Sequence, residues 1–408
     1  MLVELFQKAR DRTRTHRMKR RFGHLFAPLA DAASAPGCHE VLTACIGWLR
    51  TAQDHSRSCD GGVARGFSAL TGWGTSYPET TGYILATLLD CAGRCRYDDL
   101  ESRARDMLNW LVKIQLDGGG YPGGTIDRNN GRPVTFNTGQ VLIGLARGAR
   151  HFGDSAALDA MHRTARFLVG TQDAAGYWDR NLSPYTVPGP KAYHTHVALG
   201  LLEAARAAPD AGYAEAALAN VQWALSRQRP NGWFADCCIS HPGTPLTHTL
   251  GYTLRGVVEA CRFTQDPVLL DACRRCADGL AGALREDGFL PGRLDASWRA
   301  AADWVCLTGS AQVAESLLLL HRLAGEPRYL EGGRRINAYL RRLVNVDGPP
   351  EIRGAVPGAW PFDAPYERNC FPNWACKFFV DSLLLERAHE SGAAGRTPAA
   401  ATLLVGRH

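Results

Sequence analysis

Gln172-Asp-Ala-Ala-Gly176-Tyr-Trp178 and Gln228-Arg-Pro-Asn-Gly232-Trp233 are two copies of a unit that recurs six times along the chain, at steps of about sixty residues. A third clear copy, Arg285-Glu-Asp-Gly288-Phe289, follows the second after the same 56 residues that separate the first two. The remaining copies run from Gln53 to Gly62, from Gln115 to Gly120, and, in degraded form, to Gly348. A fixed period of this length predicts a repeat architecture, because each unit must bury its apolar face on its neighbours.

Each glycine of the repeat ends a segment with helical periodicity. Apolar residues recur there at spacings of three and four, with charged residues between them, and the clearest segments are 99–116, 156–172, 213–228, 267–284 and 327–344. Glycine stops a helix because it adopts the left-handed backbone conformation at low cost. The segments therefore predict amphipathic helices that end at the repeat glycines.

A second helix with few charges follows each glycine, after a polar loop of roughly 15 to 25 residues. The predicted openings of these helices are Pro78, Phe136, Tyr193, Thr247, Leu307 and Pro372. A helix that is apolar around its circumference is buried on all sides. We therefore predict an all-α fold, an (α/α)6 toroid of twelve helices in six hairpin repeats. The spacing alone also allows an open superhelix, but the count of six favours closure.

The motif Gln-x-x-x-Gly-x-Trp, intact at residues 172–178 and nearly so at 228–233, resembles the repeat signature of terpenoid cyclases. Those proteins share their toroid with protein prenyltransferases. Similar six-hairpin toroids carry glycan-processing enzymes, among them glycoside hydrolases, polysaccharide lyases and sugar epimerases. The resemblance spans about residues 38–390 and implies the fold, whereas a fold does not determine a reaction.

Composition and charge limit the partners of the chain. Its 408 residues, 45% apolar and 21% charged, suit one large globular unit. We predict a basic leader at residues 1–37, the toroid at 38–390 and a flexible tail at 391–408. Eight Lys and Arg residues lie within 8–21, and without them the formal net charge of +6 becomes −2, so a nucleic-acid partner is not expected.

The same basic segment, residues 8–21, predicts a peripheral contact with an anionic membrane, or else a solvated leader helix. The N-terminus lacks the apolar core of a signal peptide. We therefore expect a cytoplasmic protein whose thirteen cysteines are reduced thiols.

The starts of the six inner helices are the predicted place for a binding site. In a closed toroid these helix N-termini meet at one end, where their unpaired N–H groups and positive dipole ends favour an oxygen-rich or anionic ligand. Glu79 stands in the first turn of the first inner helix. It either compensates the helix dipole or acts as a general acid or base with a pKa tuned by burial.

The sequence allows two kinds of sugar chemistry. Proton abstraction next to a uronate carboxyl would need a base and an acid, and the candidates are His194, His196, His248, Tyr193 and Tyr252. Hydrolysis would need two carboxylates, and the candidates are Glu79, Asp60, Asp236 and Asp303. A polar core histidine explains each histidine singly, but three of them on adjacent openings favour function.

Carboxylates and arginines beside indole rings are typical of a sugar-binding cleft. The predicted substrate-binding residues are Arg65, Tyr77, Asn137, Gln140, Asp236, Arg293, Trp298, Trp360, Arg368 and Asn373. Trp178 and Trp233 belong to the repeat and are expected to pack one hairpin against the next. We therefore expect an enzyme acting on a small-molecule or oligosaccharide substrate, an acidic glycan of the uronate type.

Two alternatives to a sugar-acting enzyme are kept: an isoprenoid enzyme, which the resemblance implies, and a non-enzymatic protein. A terpenoid-cyclase or prenyltransferase-like activity would need an aromatic, apolar cavity, and the Asp-x-Asp-Asp motif of the cyclases is absent from the sequence. Prenyltransferases bind zinc through an Asp, a Cys and a His, a pattern that the chain does not clearly reproduce. No cofactor and no metal site is expected, and zinc stays an alternative. The non-enzymatic alternative is a toroid scaffold.

Overall fold

The protein is described here from a computed structural model, which covers residues 18, 20–26, 29, 31–128 and 130–390. Twelve α-helices lie within residues 38–128 and 130–390. The outer helices are α1 (Cys38–Asp54), α3 (Leu100–Lys113), α5 (Ser155–Thr171), α7 (Tyr213–Ser226), α9 (Pro267–Gly282) and α11 (Pro327–Arg341). The inner helices are α2 (Pro78–Cys91), α4 (Thr135–Phe152), α6 (Thr195–Ala207), α8 (Thr247–Thr264), α10 (Leu307–Ala324) and α12 (Asn373–Glu390).

The inner helices form a closed ring. Each packs against the next along the chain, and the last, α12, packs against the first, α2. The six outer helices surround this ring, so the predicted (α/α)6 toroid is confirmed. The open superhelix is excluded, because it would leave α2 and α12 far apart.

The repeat glycine works as a contact between neighbouring hairpins as well as a helix stop. Gly176 has a φ of 92°, and a Cβ added to it would meet the backbone carbonyl of Ala219 in the next outer helix, α7. The equivalent glycines of the first, second, fourth and fifth copies also have positive φ and touch the next outer helix in the same way, and in the first copy this glycine is Gly61, one residue before Gly62. In the second copy this glycine is Gly119, one residue before Gly120.

The sixth copy of the repeat differs from the prediction. Gly348 packs against its own turn at Asn345, whereas Gly354, with a φ of 79°, is the glycine that meets an outer helix. Its partner is the carbonyl of Ala44 in α1, the first outer helix. The sixth contact therefore joins the last hairpin to the first and closes the ring.

Two hydrogen bonds account for the glutamine of the repeat. Gln172 Nε2 donates to the carbonyl of Gly176 at 2.8 Å and to that of Ala216, in α7, at 2.9 Å. Gln228 repeats this arrangement one hairpin later, with Ala272 of α9 as the outer acceptor at 2.9 Å. Each glutamine thus ties its own turn to the neighbouring outer helix. Trp178 is fully buried beside this turn, as expected for a packing residue.

Short strands organise the loops at the end of the ring where the inner helices begin. A three-stranded antiparallel sheet has the order β2 (Gly72–Trp73), β1 (Gly66–Ser68), β5 (Cys370–Pro372), and a pair joins β3 (Val305–Cys306) to β4 (Ala359–Trp360). Since β1 follows α1 and β5 precedes α12, their pairing is a second contact between the first and the last hairpin. We call this junction the seam of the ring.

The middle of the inner ring is charged, although the inner helices were expected to be apolar on all sides. Arg255 forms ion pairs with Glu259 and Glu315, each at 2.9 Å, and Lys377 pairs with Asp381 at 2.6 Å. Burial raises the pKa of Glu315 to about 7, against the opposing charge of Arg255. Arg255–Glu259 and Lys377–Asp381 are pairs within one helix, whereas the pair of Arg255 with Glu315 joins two neighbouring inner helices, α8 and α10.

The predicted tail, residues 391–408, and most of the predicted leader lie outside the described residues. Of the basic segment 8–21, the structure describes residues 18, 20 and 21. Arg21 forms an ion pair with Glu351, and Phe22, which is buried, packs edge-on against Phe67 of β1. No helix among the described residues is long and apolar enough to cross a bilayer.

Candidate active site

An open cavity of about 1110 Å³ lies at the end of the toroid where the inner helices begin. The starts of α2, α4, α8 and α12, together with the turn before α6, form its floor, and the loops between outer and inner helices form its walls. This is the end of the ring at which the helix N-termini converge. The cavity is large enough for several sugar rings, since pockets for drug-sized ligands measure roughly 300–1,000 Å³.

Glu79 is the carboxyl group at the floor of this cavity. Its Oε2 accepts hydrogen bonds from Tyr77 Oη at 2.8 Å and from Asn137 Nδ2 at 2.7 Å. Both bonds end on the same oxygen, which leaves Oε1 for a bound molecule. Burial raises the pKa of Glu79 to about 7, while the Tyr77 hydrogen bond and the charge of Arg65 oppose the shift. The side chain therefore changes its protonation state near neutral pH.

Arg65 lines the same cavity, but its charge is already compensated. Its Nη2 donates to Glu367 Oε1 at 2.6 Å, and its guanidinium lies 4.8 Å from the ring centroid of Trp374. The indole Nε1 of Trp374 donates in turn to Tyr366 Oη at 2.9 Å. This chain of contacts holds Arg65 against the wall of the cavity.

Two histidines reach the cavity, and both are buried. His194 lies parallel to Phe136, with ring centroids 6.2 Å apart, and burial lowers its pKa to about 3. His248 Nδ1 lies 2.8 Å from Gln312 Oε1, and burial lowers its pKa to about 4. Both imidazoles are therefore neutral at physiological pH. If Gln312 Oε1 accepts, Nδ1 of His248 carries the proton and Nε2 is an acceptor.

His196 faces away from this cavity. Its Nδ1 lies 2.6 Å from Gln140 Oε1, its ring packs edge-on against Tyr252 at 4.6 Å, and it lines a separate small cavity within the charged middle of the ring. Burial lowers its pKa well below the usual value. His194 and His196 thus diverge, as a separation of two residues at a helix start requires.

Aromatic rings cover much of the floor between these polar groups. Phe136 contacts Tyr193 and Tyr252 edge-on, with centroids 5.4 and 5.0 Å apart. Trp374 and Tyr77 meet in the same way at 6.1 Å. Flat rings of this kind offer apolar faces, while the carboxyl, amide and imidazole groups between them offer hydrogen bonds. A ligand with both apolar faces and many hydroxyl groups fits such a floor.

The structure brings together eight of the residues singled out in the sequence. The cavity is lined by Glu79, Tyr77, Arg65, Asn137, Tyr193, His194, His248 and Tyr252. The others do not line it: Asp60, His196, Gln140, Asp236, Arg293, Trp298, Asp303, Trp360, Arg368 and Asn373. Six of the eight lie at or just before the start of an inner helix, and the exceptions are Arg65 in the first loop and Tyr252 in the second turn of α8.

Most of the residues outside the cavity have a structural partner. Asp60 accepts from Ser76 Oγ at 2.6 Å, and Asp236 pairs with Arg227 at 2.8 Å. The other contacts tie loops and helices together in a similar way: Arg293 donates to the Thr244 carbonyl, Trp298 to the Asn231 carbonyl, and Asn373 to the Ala64 carbonyl and Thr80 Oγ1. Trp360 lies in β4, and Asp303 and Arg368 are exposed.

Several lining residues were not singled out from the sequence. Glu367 and Trp374 come from the last loop and the start of α12, and Tyr185 comes from the third loop. Gln312 reaches the site from the second turn of α10 through His248. The position of Trp374 directly after Asn373, at a predicted helix start, was a signal that could have identified it.

Among the described residues, no group of three or more His, Cys, Asp or Glu side chains is arranged to hold a metal ion. Cys273 and Cys276 have the spacing Cys-x-x-Cys, but they are buried free thiols on α9, in the outer ring.

Comparison with known proteins gives the fold a context. No protein-family model and no curated protein sequence matches the chain. Solved structures do, and an unsaturated glucuronyl hydrolase from Bacillus sp. GL1 aligns with a TM-score of 0.68 and 14% identity over 88% of this chain and 98% of its own. A cellobiose 2-epimerase from Bacillus thermoamylovorans aligns with a TM-score of 0.67 and 10% identity over 86% and 97%. A D-mannose isomerase aligns with a TM-score of 0.67 and 12% identity over 85% and 97%.

These similarities span nearly the whole of each relative, so the chain shares their entire toroid. At identities of 10–14% they establish the fold, and the reaction has to be argued from the site itself.

Proposed function

We propose that this protein is a carbohydrate-active enzyme that acts on an acidic, uronate-type oligosaccharide, with Glu79 as its general acid–base group. The observation that carries the proposal is the state of Glu79, a buried carboxyl on the floor of an open cavity with a pKa of about 7 and one oxygen free of hydrogen bonds. A group with its pKa near the working pH serves well as both acid and base.

Tyr77 and Asn137 position this carboxyl, because each donates to Oε2 and directs Oε1 toward the cavity. The neutral His248 and His194 then serve as hydrogen-bonding groups for sugar hydroxyls. Their low pKa values make them weaker bases than Glu79 at neutral pH. The aromatic floor around Phe136 supplies stacking faces for the sugar rings.

Two reactions use a carboxyl of this kind. In proton abstraction, ionised Glu79 takes the proton from the carbon next to the uronate carboxyl, and the resulting carbanion either expels its neighbouring oxygen substituent or takes a proton back on the other face. In hydrolysis, protonated Glu79 donates its proton to the departing glycosidic oxygen, a water molecule adds its hydroxyl group to the sugar carbon, and the surplus proton of that water passes to the solvent.

Proton abstraction is the leading reaction, because two-carboxylate hydrolysis lacks the partners expected for it. Neither Asp60, Asp236 nor Asp303 lines the cavity, and Glu367, which does, is paired with Arg65. Hydrolysis remains the second candidate, since the raised pKa of Glu79 keeps a substantial fraction protonated near neutral pH. An isoprenoid substrate fits less well, because a carboxyl, an amide and two imidazoles open into the aromatic floor.

A cytoplasmic location, a peripheral membrane contact through residues 8–21 and the absence of a cofactor remain predictions. They are independent of the proposed role of Glu79.

The proposal is tested by incubating the purified protein with a panel of uronate-containing oligosaccharides. Absorbance from a new double bond detects elimination, deuterium uptake from solvent detects epimerisation, and new reducing ends detect hydrolysis. Glu79→Gln should lower turnover by roughly 10²–10⁴-fold. Glu215→Gln, the same change on the exposed surface of α7, should leave turnover unchanged. Wild-type turnover in the Glu79 variant would exclude this role.

A further inference from the structure

The arginines of the cavity differ in whether a carboxylate already neutralises their positive charge. Arg65, deep on the wall, is held by Glu367 at 2.6 Å. Three further arginines line the cavity at its rim, where they are exposed: Arg57, Arg128 and Arg132. Among the described residues, no acidic side chain forms an ion pair with any of these three. The uncompensated positive charge of the site therefore lies at its mouth rather than beside Glu79.

The rim is a connected structure formed by three successive loops. The backbone N–H of Arg57 donates to the Gly74 carbonyl at 3.0 Å, and that of Ile126 donates to the Ser76 carbonyl at 2.9 Å. The start of α4, directly after the second loop, is tied to the third loop, because the N–H of Thr135 donates to the carbonyl of Asn181 at 2.8 Å. The rim arginines are thus carried on loops that are hydrogen-bonded to one another.

One acidic side chain shares this rim. Asp127 lines the cavity next to Arg128 but accepts a hydrogen bond from Thr75 Oγ1, which is the main cause of its lowered pKa. Its single negative charge offsets only part of the three positive charges. The rim is therefore net positive at neutral pH.

The third loop adds a flat apolar surface to the rim. Tyr185 lines the cavity with 81% of its area exposed, the largest exposure of any large hydrophobic residue in the described part of the chain. An exposed ring costs solvation free energy unless something covers it, and aromatic faces stack on sugar rings. A cavity of about 1110 Å³ has the volume for a sugar at the rim as well as one at the floor.

We propose that the rim is an outer subsite for a second anionic group, a sulfate or a carboxylate, on the sugar next to the one that Glu79 acts on. The proposal rests on the proposed function and deepens it, since it identifies the substrate as an oligosaccharide with at least two acidic groups. Arginine suits this task because its planar fork pairs with carboxylate and sulfate oxygens in two parallel hydrogen bonds. Tyr185 stacks on the ring that carries the outer acidic group.

The test measures binding rather than turnover, in the Glu79→Gln variant, so that the ligands stay intact. Three tetrasaccharides serve as probes: cellotetraose, which is neutral, a hyaluronan tetrasaccharide, which carries carboxylates alone, and a chondroitin 6-sulfate tetrasaccharide, which carries both groups. Calorimetric titration at low salt should show the acidic probes binding at least about tenfold more tightly than the neutral one. The two acidic probes compared with each other distinguish sulfate from carboxylate.

Adding Arg128→Ala and Arg132→Ala together should remove most of this preference and weaken its dependence on salt concentration. Arg229→Ala, which removes an exposed arginine from an outer turn away from the cavity, is the matched control and should change neither. An intact preference in the rim variant, or equal binding of all three probes, would overturn the outer subsite. Failure of every probe to bind, in the wild type as well, would overturn the proposed function itself.

Discussion

Glu79 is the residue on which the proposed chemistry depends, and its ionisation is set by burial and by two neighbours, Tyr77 and Arg65. The ionised carboxylate is favoured by the hydrogen bond from Tyr77, whereas burial favours the protonated form and is the larger effect. Removing the donor without changing the shape of the site should therefore move the pKa of Glu79 further up.

Tyr77→Phe makes that change, because phenylalanine keeps the ring and loses the hydroxyl. We expect the apparent pKa in the pH profile of kcat/KM to rise by up to about one unit from its wild-type value near 7. Tyr177→Phe, on a half-buried tyrosine outside the cavity, is the control and should leave the profile in place. A fall in the apparent pKa, or no movement at all, would show that Tyr77 does not act on Glu79.

The buried carboxyl of Glu79 should lower the free energy of unfolding at neutral and alkaline pH. The pKa of Glu79 rises from 4.5 in the unfolded chain to about 7 in the folded one. The carboxyl therefore contributes its full stabilisation below pH 4.5, where it is protonated in both states. That contribution is lost as the pH increases through 7, because the folded state must then bury a charge. Glu79 is only 9% exposed, so little solvent screening reduces the effect.

Glu79→Gln should therefore be more stable than the wild type at pH 8, by roughly 3 kcal/mol at most, and the difference should shrink toward pH 5. Denaturant unfolding at the two pH values measures it. Glu215→Gln should show no such pH-dependent gain, since its carboxyl is exposed. If Glu79→Gln is the less stable protein at pH 8, the carboxyl is not held against its own ionisation.

At the scale of a single helix or loop, the sequence pattern and the structure agree best where contacts are local. Pro78, Thr247 and Leu307 begin inner helices as predicted, because capping and helix-start signals depend on neighbours along the chain. Glu79 and His248 reach the cavity for the same reason, since a first-turn residue of an inner helix must lie near the ring end.

Residues in long loops were harder to place from sequence. Asp236 pairs with Arg227 and Trp298 packs against Trp233, and both contacts depend on loop conformations that nonlocal backbone hydrogen bonds determine. The charged middle of the ring was not predicted for a related reason. Glu315 looks like an isolated charge in an apolar helix until the packing of α10 against α8 places it beside Arg255.

The repeat glutamines are the clearest stabilising element between hairpins. Gln172→Ala removes two hydrogen bonds and leaves the carbonyls of Gly176 and Ala216 without that donor. Each such bond contributes about 1 kcal/mol, so we expect a loss of roughly 2 kcal/mol in the free energy of unfolding. Gln222→Ala, on the exposed face of α7, is the control and should change it by less than about 0.5 kcal/mol. Equal losses in the two variants would show that the glutamine contact does not join the hairpins.

At the scale of the whole molecule, six equivalent contacts join the six hairpins into a ring. Each repeat glycine touches the next outer helix, and the last of these contacts runs from Gly354 back to Ala44 in α1. An open superhelix with six hairpins would have five such contacts and two free ends. The sixth contact, together with β5 pairing on β1, is what distinguishes a closed toroid physically from a stack.

Gly354→Ala tests this closure directly. A Cβ at this position would collide with the backbone of Ala44, which cannot move aside as a flexible side chain could, and the positive φ of 79° adds strain. Gly325→Ala is the matched control, because Gly325 has a similar φ of 71° but open space around it. The control should lose about 1 kcal/mol in the free energy of unfolding, from backbone strain alone, and Gly354→Ala should lose clearly more.

Closure of the ring also predicts which helices of Gly354→Ala lose protection from hydrogen exchange. Hydrogen exchange in Gly354→Ala should increase most in α1 and α12, on the two sides of the seam, and least in α6 and α7 on the opposite side of the ring. Because β1, β5 and the start of α12 carry cavity residues, loosening of the seam should also weaken ligand binding at the floor, while Gly325→Ala should bind as the wild type does. Equal stability of the two variants, with exchange spread evenly around the ring, would show that the toroid does not depend on its sixth contact.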